Sequence, residues 1–198
     1  MERTPVAVLG TLAEFHHEPI PYDMAALVKL VAGLNPDLLC VDVAPEQWRK
    51  QHFSDLPPEY REALLPLAYQ TDMVVVPVGD DEPLPEARAA GWRGKAIRLL
   101  RSWLAALQRS APGPAAVNEG SRHLLADLLY VLIGWLAGRE VRHAWRAHTD
   151  HLVQQVLRVT ARDPGARLLV VVNVQHCHHI RHALKKWPQM RLVRYSEL

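Results

Sequence analysis

The sequence predicts an α/β fold with a mainly parallel sheet and helices on both of its faces. Short apolar runs that lack polar alternation are typical of parallel strands covered on both sides, and helical patterns lie between these runs. The length of 198 residues suits one sizeable domain. We therefore expect a single α/β domain over 1–198, with a helical insertion at about 84–162 before the last β-α-β unit.

In the first half of the chain, strand and helix patterns alternate. Apolar residues at helical spacing fill "DMAALVKLVAGLN", and Gly33 followed by Asn35-Pro36 marks the end of that helix. The runs "PVAVLG", "DLLCVDV" and "DMVVVPVGDD" are rich in β-branched residues. The predicted elements are strand 5–10, a helix ending near Gly33, strand 37–43, helix 58–70 and strand 72–81.

The second half is predicted to be mostly helical before it returns to strand. "APGPAAVN" and Gly138 separate three helical patterns, and Pro188 ends a later helix. Tryptophans at helical spacing usually pack inward, so we expect Trp92, Trp103, Trp135 and Trp145 in the core, with a homodimer contact as the alternative. The predicted elements are helices 85–109, 119–138 and 140–162, strand 166–174, the helix "HHIRHALKKW" and a strand within "MRLVRYSEL".

Composition and charge narrow the function classes. A net charge of +2 gives no reason to expect nucleic acid as a partner. The longest apolar stretch, "HLLADLLYVLIGWLAG", contains Asp127 and is shorter than the ~30 Å of bilayer hydrocarbon, so we expect no membrane span. Two cysteines make no disulfide framework and no signal segment opens the chain, which favours the cytoplasm.

Polar side chains follow four of the predicted strands, where ligands of open parallel sheets bind. Imidazole and carboxylate together suit Zn, Mn or Co, and a metal-bound water can act as a hydroxide nucleophile near neutral pH. We therefore predict a divalent-metal site with His16, His17, Asp42 and His176 as ligands. Asp42 could instead act as a general base, and Glu14 is predicted to shuttle protons. The residues that follow the strands are Glu14, His16, His17, Asp42, Asp80, Asp81, His176, His178 and His179.

The same residues also suit plain structural roles. His178 and His182 share a helix face with lysines, which is typical of a solvated surface. His176 could cap a turn, and Asp42 could pair with Arg49. His16 and His17 could belong to a polar loop. The basic residues of helix 85–109 could form a solvated face or hold an anionic ligand; they are Arg88, Arg93, Lys95, Arg98, Arg101 and Arg109.

Three segments, taken in order, match the motifs of a known protein family. "VAVLGTLAEFHHEP" resembles its opening strand with Gly-Thr and a following histidine, and "NPDLLCVDVAPEQWR" resembles its Pro-Asp, strand, acidic residue and arginine pattern. "RLLVVVNVQHCHHIRHAL" resembles its closing strand, Gly-x-Gly-His turn and helix. Together they resemble the TraB/PrgY/GumN family of the broader EreA/ChaN-like group. The chain departs from that family at four positions: Ala13 replaces the first histidine, Asp42 replaces a glutamate, and Asn173 and Gln175 replace glycines.

The resemblance implies a metal-dependent hydrolase site at His176 and Asp42, acting on a small molecule or a peptide. It does not specify the substrate, because members of the group are linked to ester hydrolysis, peptide cleavage, signalling control and haem binding. The departures favour an alternative, a non-catalytic binding or interaction protein that has lost the metal site. A haem or small-molecule-binding module, with histidines as axial ligands, is a further alternative.

Overall fold

The computed structural model describes residues 3–198, which form a sheet of five parallel strands with helices. The strands lie in the order β3-β2-β4-β1-β5, and every neighbouring pair is parallel. The predicted fold class is confirmed. The strands are β1 (Thr4–Thr11), β2 (Leu38–Val41), β3 (Val74–Pro77), β4 (Leu168–Asn173) and β5 (Met190–Leu192).

Most helices lie where the apolar spacing predicts them. The stretch between β3 and β4 is helical, as expected for the insertion. A π-helical turn at Glu59–Leu64 and the short α-helix Leu65–Ala68 together occupy most of the helix predicted at 58–70. The helices are α1 (Met24–Leu34), α2 (Pro45–Arg49), α3 (Leu65–Ala68), α4 (Gly91–Arg109), α5 (Pro114–Asn118), α6 (Gly120–Ala137), α7 (Arg139–Arg162) and α8 (Val174–Leu184).

Local chemistry explains the ends of α1. The Asp23 side chain accepts a hydrogen bond from the Ala26 N–H, which satisfies one of the free donors of the first turn. At the other end, Asn35 adopts a left-handed conformation (φ 42°) that stops the helix, and Pro36 follows it. α1 therefore ends one residue before the Asn-Pro pair that marks the boundary in the sequence.

Both faces of the sheet are buried, because alternate side chains of each strand point to opposite sides. On one side, Ala7 and Leu9 of β1 pack with α1, the π-helical turn and α3. On the other side, Val6 and Val8 pack with residues of α7 and α8. β1 and β4 are buried almost throughout, which explains why their sequences lack polar alternation.

The helices α4, α6 and α7 share a third apolar cluster, separate from the two beside the sheet. α4 begins at Gly91, six residues later than predicted, and the separator "APGPAAVN" contains the short helix α5. Trp145 is partly buried against this cluster. The expectation that all four tryptophans lie in the core is wrong, since Trp92, Trp103 and Trp135 are 55 to 69% exposed.

The carboxyl ends of β1 and β4 are the point where the chain changes its direction across the sheet. These strands are neighbours, yet the connection from β1 leads towards β2 on one side and the connection from β4 leads to β5 on the other. Ligands of open α/β sheets bind outside the carboxyl ends of the strands at such points. Thr11 and Asn173 lie opposite each other at this point.

α6 is the most apolar of the long helices. Within residues 3–198, neither α6 nor any other helix combines the length and the apolar character that a membrane crossing requires.

Candidate functional site

The loop after β1 holds the first group of predicted site residues. Ala13 has a positive φ of 50°, and a 3₁₀ turn covers Ala13–His17. Within this turn His16 is buried, and both of its ring nitrogens face backbone groups. The Leu12 N–H donates to Nε2 at 2.9 Å, and Nδ1 donates to the Tyr22 carbonyl at 2.8 Å. His16 thus ties the loop together, and it would have to break one of these bonds to bind a metal.

His17 and Glu14 face outward. His17 Nε2 lies 2.9 Å from Glu62 Oε2, and its Nδ1 lies 3.7 Å from Glu14 Oε2. The Glu14 side chain is 80% exposed. The structure therefore places His16 and His17 in different environments, and it leaves Glu14 exposed to solvent.

The loop after β2 pairs Asp42 with a histidine of α7. His148 Nε2 lies 2.9 Å from Asp42 Oδ2, and the two side chains are 8% and 16% exposed. Gly79 leaves room for this carboxylate, since an added Cβ would lie 2.7 Å from Asp42 Oδ1. Asp42 does not pair with Arg49, which contacts Glu46 instead. The other ring nitrogen of His148, Nδ1, is buried without a hydrogen-bond partner in the structure.

His176 lies at the start of α8 in a defined tautomer. The Thr149 hydroxyl donates to the Trp145 carbonyl at 2.8 Å, so it must accept from His176 Nδ1, 2.7 Å away. The other nitrogen, Nε2, then accepts from the Gln175 amide at 2.8 Å. Burial lowers the pKa of His176 to about 4, and the nearby Asp42 only partly opposes this effect. His176 is therefore neutral at pH 7.

Asp42, His148 and His176 together form a polar cluster at the carboxyl edge of the sheet. The two imidazole rings lie 5.2 Å apart between centroids. Burial lowers the pKa of His148, but the hydrogen bond and charge of Asp42 outweigh it, so the pKa is raised overall. The pKa values of the two neighbouring imidazoles are thus shifted in opposite directions. Within residues 3–198, no three His, Cys, Asp or Glu side chains converge as a metal would require.

Cys177 and the remaining strand-end residues contribute little to this cluster. Cys177 is fully buried beneath Gly10, and burial raises its thiol pKa to about 12, so it is an unreactive thiol. Asp80 lies 4.0 Å from His151, and His179 lies 3.7 Å from Asp150, both at the surface.

Glu59 is a buried carboxyl group that the sequence pattern did not reveal. Its Oε1 accepts a 2.8 Å hydrogen bond from the Thr11 hydroxyl, while Oε2 has no hydrogen-bond partner in the structure. Burial raises the pKa of Glu59. In the sequence this residue belongs to an ordinary helical pattern, where glutamate usually faces solvent.

A second site lies at the opposite side of β1, where β5 ends early. An open cleft of about 600 Å³ lies between the start of α6, one face of α8 and the segment that follows β5. Two carboxylates, Glu119 and Glu197, line it together with basic and histidine side chains. These basic and histidine residues are His123, His178, Arg181, His182, Lys185 and Arg194.

Arg181 of α8 forms part of the cleft wall and also donates a hydrogen bond to a backbone group of β1 that no strand pairs. Its guanidinium donates to the carbonyls of Asn118 and Val8, at 2.6 and 2.7 Å. The Asn118 side chain satisfies further backbone groups of β1: it accepts a hydrogen bond from the Gly10 N–H and donates one to the Gly10 carbonyl. Within residues 3–198, no carboxylate lies within 4.0 Å of Arg181, so hydrogen bonds hold its position and it has no ion-pair partner.

His123 stands beside Arg181 as a neutral side chain. Its Nδ1 donates to the Val117 carbonyl at 3.1 Å, and its Nε2 accepts from Arg181 at 3.2 Å. Burial and then the Arg181 charge lower the pKa of His123. Glu119 lies 4.0 Å from Arg194, which partly balances that arginine. Three cations and two carboxylates line the cleft, so its lining carries a formal net charge of +1 when the histidines are neutral.

The sequence analysis discussed several of these cleft residues, but it did not predict that they form one site. His178 and His182 were expected at the surface, and they lie at the rim of the cleft. Arg181 lies between them on the same helix, and its contacts with Val8 and Asn118 join residues 173 and 63 positions apart. Comparison with family models, with curated proteins and with solved structures found no significant match for this chain.

Proposed function

We propose that this chain is a non-catalytic binding protein for a small anionic molecule, which binds in the cleft between α6, α8 and the segment after β5. The observation that carries the proposal is that Arg181, in the cleft wall, has no ion-pair partner within residues 3–198. A partly buried cation without a carboxylate partner is costly, and a bound anion would relieve that cost. A guanidinium also presents donors in a fork that matches carboxylate and phosphate oxygens.

The surroundings of Arg181 support an anionic ligand. Lys185 directly follows the last residue of α8, four positions after Arg181, and lines the same cleft. α6 begins at the cleft with Gly120, so the positive end of an 18-residue helix dipole lies at this wall. The volume of about 600 Å³ lies within the range of small-molecule sites, roughly 300 to 1,000 Å³. Carboxylates and phosphate esters share the oxyanion chemistry that these groups recognise.

The test is calorimetric titration with pyrophosphate and with citrate as probes, at low and at high salt. Lys185→Gln removes one exposed cation without touching the sheet edge, and Lys186→Gln removes its exposed neighbour, which does not line the cleft. We expect Lys185→Gln to weaken binding about tenfold, which corresponds to about 1.4 kcal/mol, and Lys186→Gln to leave it unchanged. Equal affinity in all three proteins, or no binding of either probe, would overturn the proposal.

The polar cluster of Asp42, His148 and His176 favours a second candidate, a hydrolase of the kind that the TraB-like resemblance implies. The supporting observation is the opposite pKa shift of two neighbouring imidazoles, which is an arrangement that separates acid and base roles. Zn, Mn or Co would need Asp42 and His176 as ligands, and His176 would have to exchange its bond with Gln175.

This candidate is tested by elemental analysis of protein purified without a histidine tag and by hydrolysis of ester reporters. Stoichiometric metal and turnover, both lost in Asp42→Asn and in His176→Asn, would support the hydrolase. His179→Asn is the matched control, because His179 lies at the surface of the same helix. Protein that takes up no metal and hydrolyses no reporter would exclude the hydrolase candidate, and the anion-binding proposal would remain.

A further inference from the structure

One side of α6 exposes an apolar stripe along most of its length. Six large apolar side chains, each 40 to 62% exposed, form this stripe, although the opposite side of the same helix is already buried in the cluster with α4 and α7. Large contiguous exposed apolar patches mark interaction sites on soluble proteins. The stripe consists of Leu124, Leu125, Leu128, Val131, Leu132 and Trp135.

The spacing within the stripe is that of a helix–helix seam. Leu124, Leu128, Val131 and Trp135 follow one another at intervals of four, three and four residues, and Leu125 and Leu132 lie seven apart beside them. Alternating intervals of four and three place side chains in one line along a helix, where they fit between the side chains of a facing helix. The stripe is thus shaped for another helix rather than for a strand or a small molecule.

We propose that the stripe is covered by a second copy of this chain, with α6 of one protomer packed against α6 of the other across a twofold axis. A twofold contact requires a self-complementary surface, and an uncharged stripe of leucine, valine and tryptophan is complementary to itself. Ten consecutive residues of α6, 128–137, include no charged side chain. A partner recognised through its charge would find no matching group there.

The exposed area is also of the size that a dimer needs. Six side chains at 40 to 62% exposure leave on the order of 600 Å² of apolar surface per protomer, close to the ~800 Å² per partner of a standard interface. The stripe and the cleft share only Leu124, and no charged residue of the cleft belongs to the stripe, so the dimer and the anion-binding proposal can fail independently.

The experiment measures molar mass by light scattering after size-exclusion chromatography and by sedimentation equilibrium, from low to high micromolar protein. We expect a dimer for the natural sequence and a monomer for Leu128→Glu, because two carboxylates would then face each other near the axis. Leu99→Glu is the matched control: Leu99 on α4 is 52% exposed against 51% for Leu128, and it lies outside the stripe. This variant is expected to remain dimeric.

Several outcomes would overturn the dimer. These are a natural sequence that is monomeric at every concentration, a dimer that persists in Leu128→Glu, or a dimer that Leu99→Glu also dissociates. Monomeric protein that binds vesicles of phosphatidylcholine and phosphatidylserine, with binding lost in Leu128→Glu, would assign the stripe to a membrane surface instead. Far-UV circular dichroism checks the fold of each variant, and Leu128→Gln replaces Leu128→Glu if the latter loses its helical signal.

Discussion

At the residue scale, the histidines of this chain show how strongly the environment decides a role. His16 serves backbone groups on both sides of its ring, His123 supports an arginine, and His176 accepts one side-chain hydrogen bond and donates another. Burial lowers the pKa of all three. Each therefore acts as a neutral hydrogen-bonding group in the folded protein, whereas in the unfolded chain it would bind a proton near pH 6.5.

Stability should consequently fall on acidification. Because the pKa of His176 is about 4 in the folded protein and about 6.5 in the unfolded chain, the unfolded state binds more protons between these values. The contribution is fully present above pH 6.5 and is lost as the pH falls towards 4, with a total of about 3 kcal/mol. Urea unfolding at pH 7 and at pH 4.5 measures this loss.

His176→Asn keeps a donor for the Thr149 hydroxyl but cannot titrate, so its stability should depend less on pH than that of the natural sequence. His16, His123 and His148 are present in both proteins, so the difference between the two reports on His176 and on its interaction with the neighbouring His148. An identical pH dependence in the two proteins would contradict the assignment of a low pKa to His176.

The limits of sequence analysis are clearest for individual residues. Asp42 and His176 were predicted at the carboxyl edge and lie there, while their partner His148 comes from α7, 106 residues away from Asp42. His143, His148 and His151 share helical spacing, which was the available signal, but spacing on one helix does not tell which histidine meets a distant carboxylate. Glu59 gave no signal, because its burial depends on packing over the end of β1.

At the element scale, the contact between β1 and α8 leaves no spare volume. A Cβ on Gly10 would lie 2.9 Å from Cys177 Sγ and 3.0 Å from Val174 Cα. The second of these atoms is backbone, so relief would require a shift of the helix. This close approach explains the glycine that follows the aliphatic run 6–9 near the end of β1.

Gly10→Ala should therefore destabilise the protein by about 1 to 3 kcal/mol through overpacking. Gly33→Ala provides the matched control, since a Cβ at Gly33 meets nothing within 4 Å and alanine favours the helix. Thermal unfolding of the two variants should show a lower midpoint for Gly10→Ala and an equal or higher one for Gly33→Ala. A midpoint for Gly10→Ala that matches the natural sequence would mean that α8 moves at little cost.

Elements were predicted well where the apolar pattern was regular and poorly where it was short. The five strands and the long helices follow from unbroken aliphatic runs and helical spacing. The short helices α2 and α5 have five residues each, too few for a periodic pattern. The exposed tryptophans of α4 and α6 could not be anticipated, because helical spacing identifies a face but not what covers it.

At the scale of the whole molecule, two packed layers around the sheet adjoin a looser helical part. The sheet strands lie in two extensive apolar clusters, whereas α4 packs chiefly on α6 through a smaller one. Few buried apolar contacts mean a low free energy for local opening.

Native-state hydrogen exchange should therefore show different protection for the central strands and for α4. We expect amides of β1 and β4 to exchange only through global unfolding, and those of α4 to exchange through a smaller opening that urea affects weakly. Mass spectrometry of peptides covering Thr4–Thr11, Leu168–Asn173 and Gly91–Arg109 measures both rates. Equal protection in all three peptides would show that α4 unfolds together with the sheet.

The side chains that finish the sheet edge also limit how this protein can recognise a peptide. Beyond the end of β5, Arg181 donates a hydrogen bond to the Val8 carbonyl. Asn118 forms hydrogen bonds with both backbone groups of Gly10. A peptide that binds by strand addition needs those backbone groups free. Since they are taken, an extended peptide cannot lengthen the sheet along this part of β1. Whatever enters there must be selected by side chains alone, which favours compact ligands over linear sequence motifs.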